Sequence, residues 1–238
     1  MKIEILYPEL GTYYGDNGNV SYLSACLKDA EIIKTPNFKC PAFVEGNADL
    51  VYLGSLSEGK QLIAIEKLKP YKDVLRQRIE EGVIFIFTGN AMEILGTNIH
   101  TESDETIECL GLYDFHSERD VTRRINYLFL GSYGDITIVG NKSQYSLCYG
   151  NFDKPFIKKE RGLGNNPECE YEGIHDHNLF ATYLLGPFLV NNPLFTERII
   201  KMLDPENELA FKEEIMQAYR QRLEEMSHPA MIYALHEH

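Results

Sequence analysis

Residues 83–87 read Val-Ile-Phe-Ile-Phe, an unbroken apolar run. A strand with one wet face alternates apolar and polar side chains. A run without alternation needs cover on both faces, as at the centre of a parallel sheet. The flanking sequence supplies that cover. Residues 62–68 and 71–81 place apolar side chains at helical spacing, with Pro70 where one helix stops and the next begins. Residues 91–95 resume a helical pattern after the run. A buried strand between helices predicts an α/β fold, a mostly parallel central sheet flanked by helices on both faces.

The rest of the chain extends this pattern. Residues 2–7, 31–34 and 49–54 read as strands, and 18–28 as a helix with Val20, Leu23 and Leu27 on one face. In the second half, 126–130, 135–139 and 178–184 read as strands. Residues 192–202 and 206–225 read as helices, and the polar, glycine-rich 154–170 reads as loop. The division expected is one domain over 1–205 and a C-terminal helical extension over 206–238. Leu209, Ile215, Met216, Tyr219 and Leu223 make the extension amphipathic, able to pack on the domain or on a partner.

Charge excludes some function classes. Lys plus Arg number 23 and Asp plus Glu 36, a formal net charge of -13. Nucleic acid is not an expected partner, because phosphate binding needs clustered cations. No apolar run approaches the roughly 20 residues of a spanning helix, so no membrane insertion is expected. The opening Met1-Lys2-Ile3-Glu4-Ile5 alternates as a strand rather than an export signal. The five cysteines are scattered without a CxxC pair, so reduced thiols in the cytoplasm are expected.

The segment with most chemical content is 84–96, a buried strand, a sharp turn at Thr88-Gly89-Asn90 and a helix. Such a junction is the setting of a nucleophile elbow, and equally of any strand-turn-helix connection. Glu93-Ile94-Leu95-Gly96 resembles the Gln-Leu-Leu-Gly that follows the nucleophile in class I glutamine amidotransferases of the cobyric acid synthase type. Leu6-Tyr7-Pro8 with Tyr14-Gly15-Asp16-Asn17-Gly18-Asn19 resembles the N-terminal motif of one branch, the glutaminase subunits of lipid II isoglutaminyl synthase. Ile138-Val139-Gly140, Gly162-Leu163-Gly164-Asn165-Asn166, Tyr171-Glu172-Gly173 and Thr182-Tyr183-Leu184-Leu185-Gly186-Pro187, continued by Asn192-Pro193, resemble later segments in the same order. The likeness spans about 1–203. It implies a flavodoxin-like three-layer sandwich and a glutaminase that supplies ammonia to a Mur-ligase-like partner subunit.

The departures from that pattern fall on the chemistry. The family carries Cys-Gly-Gly-Tyr-Gln-Leu-Leu-Gly at the elbow, and alignment on Gly96 puts its nucleophile at Gly89. Its base lies in Thr-Tyr-Leu-His-Gly-Pro, and that histidine position is Leu185. Its oxyanion turn, Gly-Gly-Gly-Gln-Asp, falls on Leu53-Gly54-Ser55-Leu56-Ser57. Amide hydrolysis by this route needs thiolate, base and oxyanion donors. The resemblance therefore implies a family member without an intact catalytic set.

Other residues are weighed as substitutes. Thr88 or Ser55 could act with His177 as a non-standard nucleophile and base, or serve, like Ser57, as turn-forming hydroxyls. His175 and His177 could share a metal, but no third ligand is apparent. Gly15-Asp16-Asn17-Gly18-Asn19 could cradle an anion or form a capped turn. Arg124 could hold a ligand carboxylate. The pocket candidates are thus Gly54, Ser55, Thr88, Asn90, Arg124 and His177, with no metal and no cofactor expected. The leading expectation is a binding or partner subunit without glutaminase activity. The alternatives are an active amidotransferase or amidohydrolase with a non-standard nucleophile, and a protein binding glutamine or another small ligand.

Overall fold

The computed structural model describes residues 1–11 and 15–235. Its main sheet has ten strands. One half is parallel: β1 (Lys2–Leu6), β2 (Glu31–Thr35), β3 (Leu50–Leu53), β4 (Ile84–Thr88) and β13 (Leu179–Thr182), in the order β13-β4-β3-β1-β2. The other half is antiparallel: β8 (Ile125–Tyr133), β9 (Ile136–Gln144), β11 (Pro155–Arg161), β12 (Tyr171–Asp176) and β14 (Ala234–Leu235). The apolar run supplies the interior strand β4, between β3 and β13; every residue of β4 is buried, and Val83 just before it is half-buried.

Helices cover both faces. One face of β4, Phe85 and Phe87, packs with α2 (Glu58–Leu68) and α3 (Lys72–Glu80). The other, Ile84 and Ile86, packs with α1 (Asp16–Cys26), α4 (Phe188–Asn191) and α5 (Pro193–Leu203). Pro70 sits in a short 3-10 helix joining α2 to α3. The result is the three-layer α/β architecture, with a mixed sheet in the middle.

Several local expectations are corrected. Residues 155–161 are strand β11, not loop, since Lys158 and Lys159 pair with β8 and bring β12 into the sheet. A second, four-stranded sheet was not foreseen: β5 (Asn98–Thr101), β6 (Thr106–Glu108), β7 (Phe115–Arg119) and β10 (Ser146–Gly150). The C-terminal helix, α6, starts later, spanning Lys212–Ser227, because Phe211 is left-handed at φ 52° and breaks the pattern before it. Tyr219 and Met226 of α6 pack with Leu130 and Val139, and β14 pairs with β8. The C-terminal segment thus completes the antiparallel half of the sheet.

Candidate functional site

β4 ends at Thr88, and Gly89 turns the chain at φ +60°, a backbone that L side chains rarely adopt. The chain continues as a 3-10 helix over Gly89–Leu95. The elbow backbone is therefore present, with glycine at its apex. The space a side chain would need there is occupied. A Cβ on Gly89 would lie 2.6 Å from Ser55 Cβ and 3.5 Å from Leu185 Cδ2. Leu185 follows β13, the neighbour of β4, so Gly89 and Leu185 face each other.

The crevice at this point is small. Gly89, Ser55, Asn90, Leu185, Tyr145 and Gln144 are among its lining residues, and it encloses about 20 Å³, room for about one water. The loop above it is fixed internally. Ser55 N–H donates to Asp16 Oδ2 at 2.6 Å, and Leu56 N–H donates to Asn90 Oδ1 at 2.8 Å. Asn90 Nδ2 returns a bond to Leu56 O at 2.9 Å, so Asn90 clasps the loop to the elbow. Both loop amides are committed to these acceptors, where an oxyanion hole needs donors aimed into the site.

Asp16 organises the layer beneath. It is fully buried and receives Tyr52 OH at 2.7 Å, Thr88 Oγ1 at 2.9 Å and Asn19 Nδ2 at 3.2 Å, besides the Ser55 amide and hydroxyl. Burial, reinforced by the Asp16 charge, pushes the Tyr52 phenol far up, so it stays a donor. Thr88 and Ser55 both turn their hydroxyls into this network. In the Gly15–Asn19 segment Gly15 is the N-cap of α1, without a side-chain cap, and Asp16 accepts the bonds above. Gly15, Gly18 and Gly186 let the segment cross the Gly186–Pro187 backbone, where a Cβ on Gly18 would lie 2.8 Å from Pro187 Cβ and one on Gly186 would strike Asp16 N.

A second buried network reaches the crevice through Glu93 and Tyr183, which help to line it. Arg119 Nη2 donates to Glu93 Oε2 at 2.6 Å and also to Gln61, and Tyr183 OH donates to Glu93 Oε1 at 2.6 Å. Tyr183 N–H donates to Glu172 Oε1 at 2.7 Å, and Glu172 is paired with Lys142 at 3.3 Å. Burial drives the Lys142 ammonium down, against the pull of Glu172. Cys148, 3.6 Å from Tyr183 OH, has its thiol pushed up to about 12 by burial and by the Glu93 charge, so it remains a thiol.

The candidates therefore divide. Gly89, Ser55, Asn90 and Leu185 meet at the crevice. Gly54 and Thr88 lie against Asp16 below it. Arg124 stands behind Tyr145, its guanidinium 4.5 Å over the ring and its Nη2 donating to the hydroxyl at 2.6 Å. His177 is not at the site. It precedes β13, whose Leu179 pairs with Phe85, while Thr182 pairs with Thr88. The length of the strand separates His177 from the elbow, on the order of 15–20 Å at about 3.3 Å per residue. It cannot serve Thr88 or Ser55 as a base. His175 stacks on Phe180 at 4.6 Å, while His177 Nδ1 meets Asp176 Oδ1 at 2.8 Å. Among the described residues no group of three or more His, Cys, Asp or Glu could hold a metal ion. Sequence reasoning missed Asp16, Asn19 and Tyr52 as one unit, and Arg119 and Lys142 as buried charges. Alternation in Phe115-His116-Ser117-Glu118-Arg119 carried the signal for Arg119, whose face it shares with Phe115 and Ser117.

Comparisons with known proteins agree with the architecture. The CobB/CobQ-like glutamine amidotransferase domain model matches residues 2–193. The lipid II isoglutaminyl synthase (glutamine-hydrolyzing) subunit GatD of Staphylococcus aureus (strain N315) is 29% identical over 192 residues, 79% of this chain and 78% of that protein. The subunit of the same name from Streptococcus pneumoniae (strain ATCC BAA-255 / R6) is 27% identical over 210 residues, 84% of this chain and 79% of that protein. A chain of the PurLQS structure from Thermotoga maritima superposes with a TM-score of 0.52 at 13% identity, covering 93% of this chain and 98% of that one, a likeness of fold alone.

Proposed function

The chain belongs to the CobB/CobQ-like glutamine amidotransferase domain family, and from that premise we propose that it is a member without glutaminase activity, acting as a binding or partner subunit. The observation that carries this reading is the elbow: glycine at φ +60°, with Ser55 Cβ only 2.6 Å from where a side chain's Cβ would sit. Without a side chain there is no thioester to form. Leu185 can neither take nor return a proton. A crevice of about 20 Å³ does not admit a glutamine side chain.

The curated relatives are named as subunits of lipid II isoglutaminyl synthase. By analogy the partner of this chain is a Mur-ligase-like subunit in the cytoplasm, and its pathway is peptidoglycan amidation. The absence of any long apolar helix among the described residues is compatible with that setting. The test is glutamate release from glutamine by the purified chain, alone and mixed with a Mur-ligase-like protein from the same genome, beside an active relative. The reading expects release no greater than the buffer blank in both mixtures, together with co-elution of the two proteins. Turnover by the wild type, abolished by Ser55→Ala or Thr88→Ala, refutes it in favour of a non-standard nucleophile.

A further inference from the structure

On the face covered by α3, away from the elbow, two adjoining cavities of about 210 and 60 Å³ share Arg76, Leu112, Tyr113, Lys154 and Asp176. Their floor is apolar, with Ile174 and Leu112 both buried. Two aromatic rings form the walls. Tyr113 is held by its hydroxyl on Asp176 Oδ2 at 3.0 Å, and Phe152 by stacking on Phe115 at 5.6 Å. Asp176 also receives Lys154 Nζ at 2.5 Å and His177 Nδ1 at 2.8 Å, so its charge is met within the protein. The exposed rim carries both signs: Arg76 and Lys154 on one hand, Asp114, Asp153 and Glu80 on the other. Arg76 anchors one guanidinium nitrogen on Leu112 O at 2.9 Å. A guanidinium has five donors, which leaves it able to face a carboxylate as well.

We propose that this groove binds a free α-amino acid with an apolar side chain. The carboxylate sits on Arg76, the ammonium faces the acidic rim, and the side chain lies on Ile174 and Leu112 between Tyr113 and Phe152. Three observations select this class. The volume falls below the roughly 300–1,000 Å³ of pockets for drug-sized ligands, and suits one residue-sized guest. An apolar floor between aromatic rings rewards a hydrophobic body. A rim of mixed charge favours a guest of mixed charge: a simple anion meets Asp114 and Asp153 on a chain of net charge -13, and a simple cation meets Arg76 and Lys154.

The test is calorimetric titration of the full chain with L-phenylalanine, 3-phenylpropanoate, phenethylamine and glycine, with methyl NMR to locate the site. L-phenylalanine is expected to bind with a Kd on the order of 1 mM or tighter, and the three analogues, each lacking one recognised part, at least tenfold more weakly. Ile174 methyl signals should shift and those of Leu185 should not. Arg76→Gln, at an exposed position, should weaken binding about tenfold, the loss of one charged contact. Phe152→Ala should weaken it too. No binding of L-phenylalanine, equal binding of either single-charge analogue, shifts at Leu185, or unchanged affinity in Arg76→Gln would each overturn the proposal. None of these readouts depends on whether the elbow is catalytic.

Discussion

The decisive perturbation of the elbow is a single methyl group, Gly89→Ala, measured with and without Ser55→Gly. At φ +60° a β-carbon costs about 1–2 kcal/mol in backbone strain alone. It would also lie 2.6 Å from Ser55 Cβ, where ordinary contacts begin near 3.4 Å. Ser55 cannot swing aside freely, because Asp16 holds both its amide and its hydroxyl. Overpacking against a fixed neighbour costs about 1–3 kcal/mol, so Gly89→Ala should destabilise by about 2–5 kcal/mol in total. With Ser55→Gly in place, the next atom is Ser55 Cα at 3.3 Å, which a small shift accommodates. The cost of Gly89→Ala should then fall to the backbone strain, giving a coupling of about 1–3 kcal/mol. Ser55→Gly by itself should cost about 1.5–3 kcal/mol, for the lost hydroxyl bond to a carboxylate. Urea unfolding of the four proteins measures the cycle. Additivity within about 0.5 kcal/mol, or a Gly89→Ala cost below that, would show that the apex is not sterically closed. It follows that Gly89→Cys with Leu185→His should not restore hydrolysis unless Ser55→Gly is added.

Asp16→Ala should destabilise by about 3–5 kcal/mol, because it strands the Tyr52, Thr88 and Ser55 donors in a buried layer, and thermal unfolding measures this. Lys142→Met alone should cost more than Lys142→Met with Glu172→Gln, since the single change leaves a buried carboxylate unpaired; denaturant midpoints decide the order. Burial alone would raise the Asp176 carboxyl, but hydrogen bonds from Lys154, Tyr113 and His177 outweigh it and hold it below its ordinary value. A lowered folded value means its stabilisation is complete above the ordinary carboxylate range and fades as pH falls through the folded value. Asp176→Asn should therefore flatten the acid limb of the stability curve below about pH 4, and a wild-type-like limb would refute this.

How much of this was written in the sequence depends on the range of the interactions. The apolar run at 83–87 fixed its own burial, because a strand without alternation has no face to offer water. Gly89 and Leu185 could be paired only by aligning separate motifs, and the parallel register of β13 on β4 is what brings them together. His177 shows the opposite case. It lies close to Leu185 in sequence, yet β13 runs between them and carries them to opposite ends of the sheet. Strand β11 was hidden by composition, since its Lys158, Lys159, Glu160 and Arg161 read as a polar loop. Lys142 was invisible for a related reason: a lysine reads as surface until Glu172 and the Gly164 carbonyl are seen to enclose it.

The same distances explain how the proposed loss of chemistry is compatible with the fold. A nucleophile at an elbow holds a side chain in a backbone region that disfavours one, and such strain is tolerated where function requires it. Glycine at position 89 removes that strain. Ser55 then packs within 2.6 Å of where a β-carbon would sit, tied to Asp16 by its amide and hydroxyl. Leu185, buried beside it, is an apolar side chain that needs no hydrogen-bond partner. Glycine at 89 and leucine at 185 thus lower the cost of forming this corner of the sheet, and with Ser55 they line a crevice about the size of a water. Reversing one change alone meets the other two. That is why stability, rather than turnover, should respond first when the elbow is rebuilt one residue at a time.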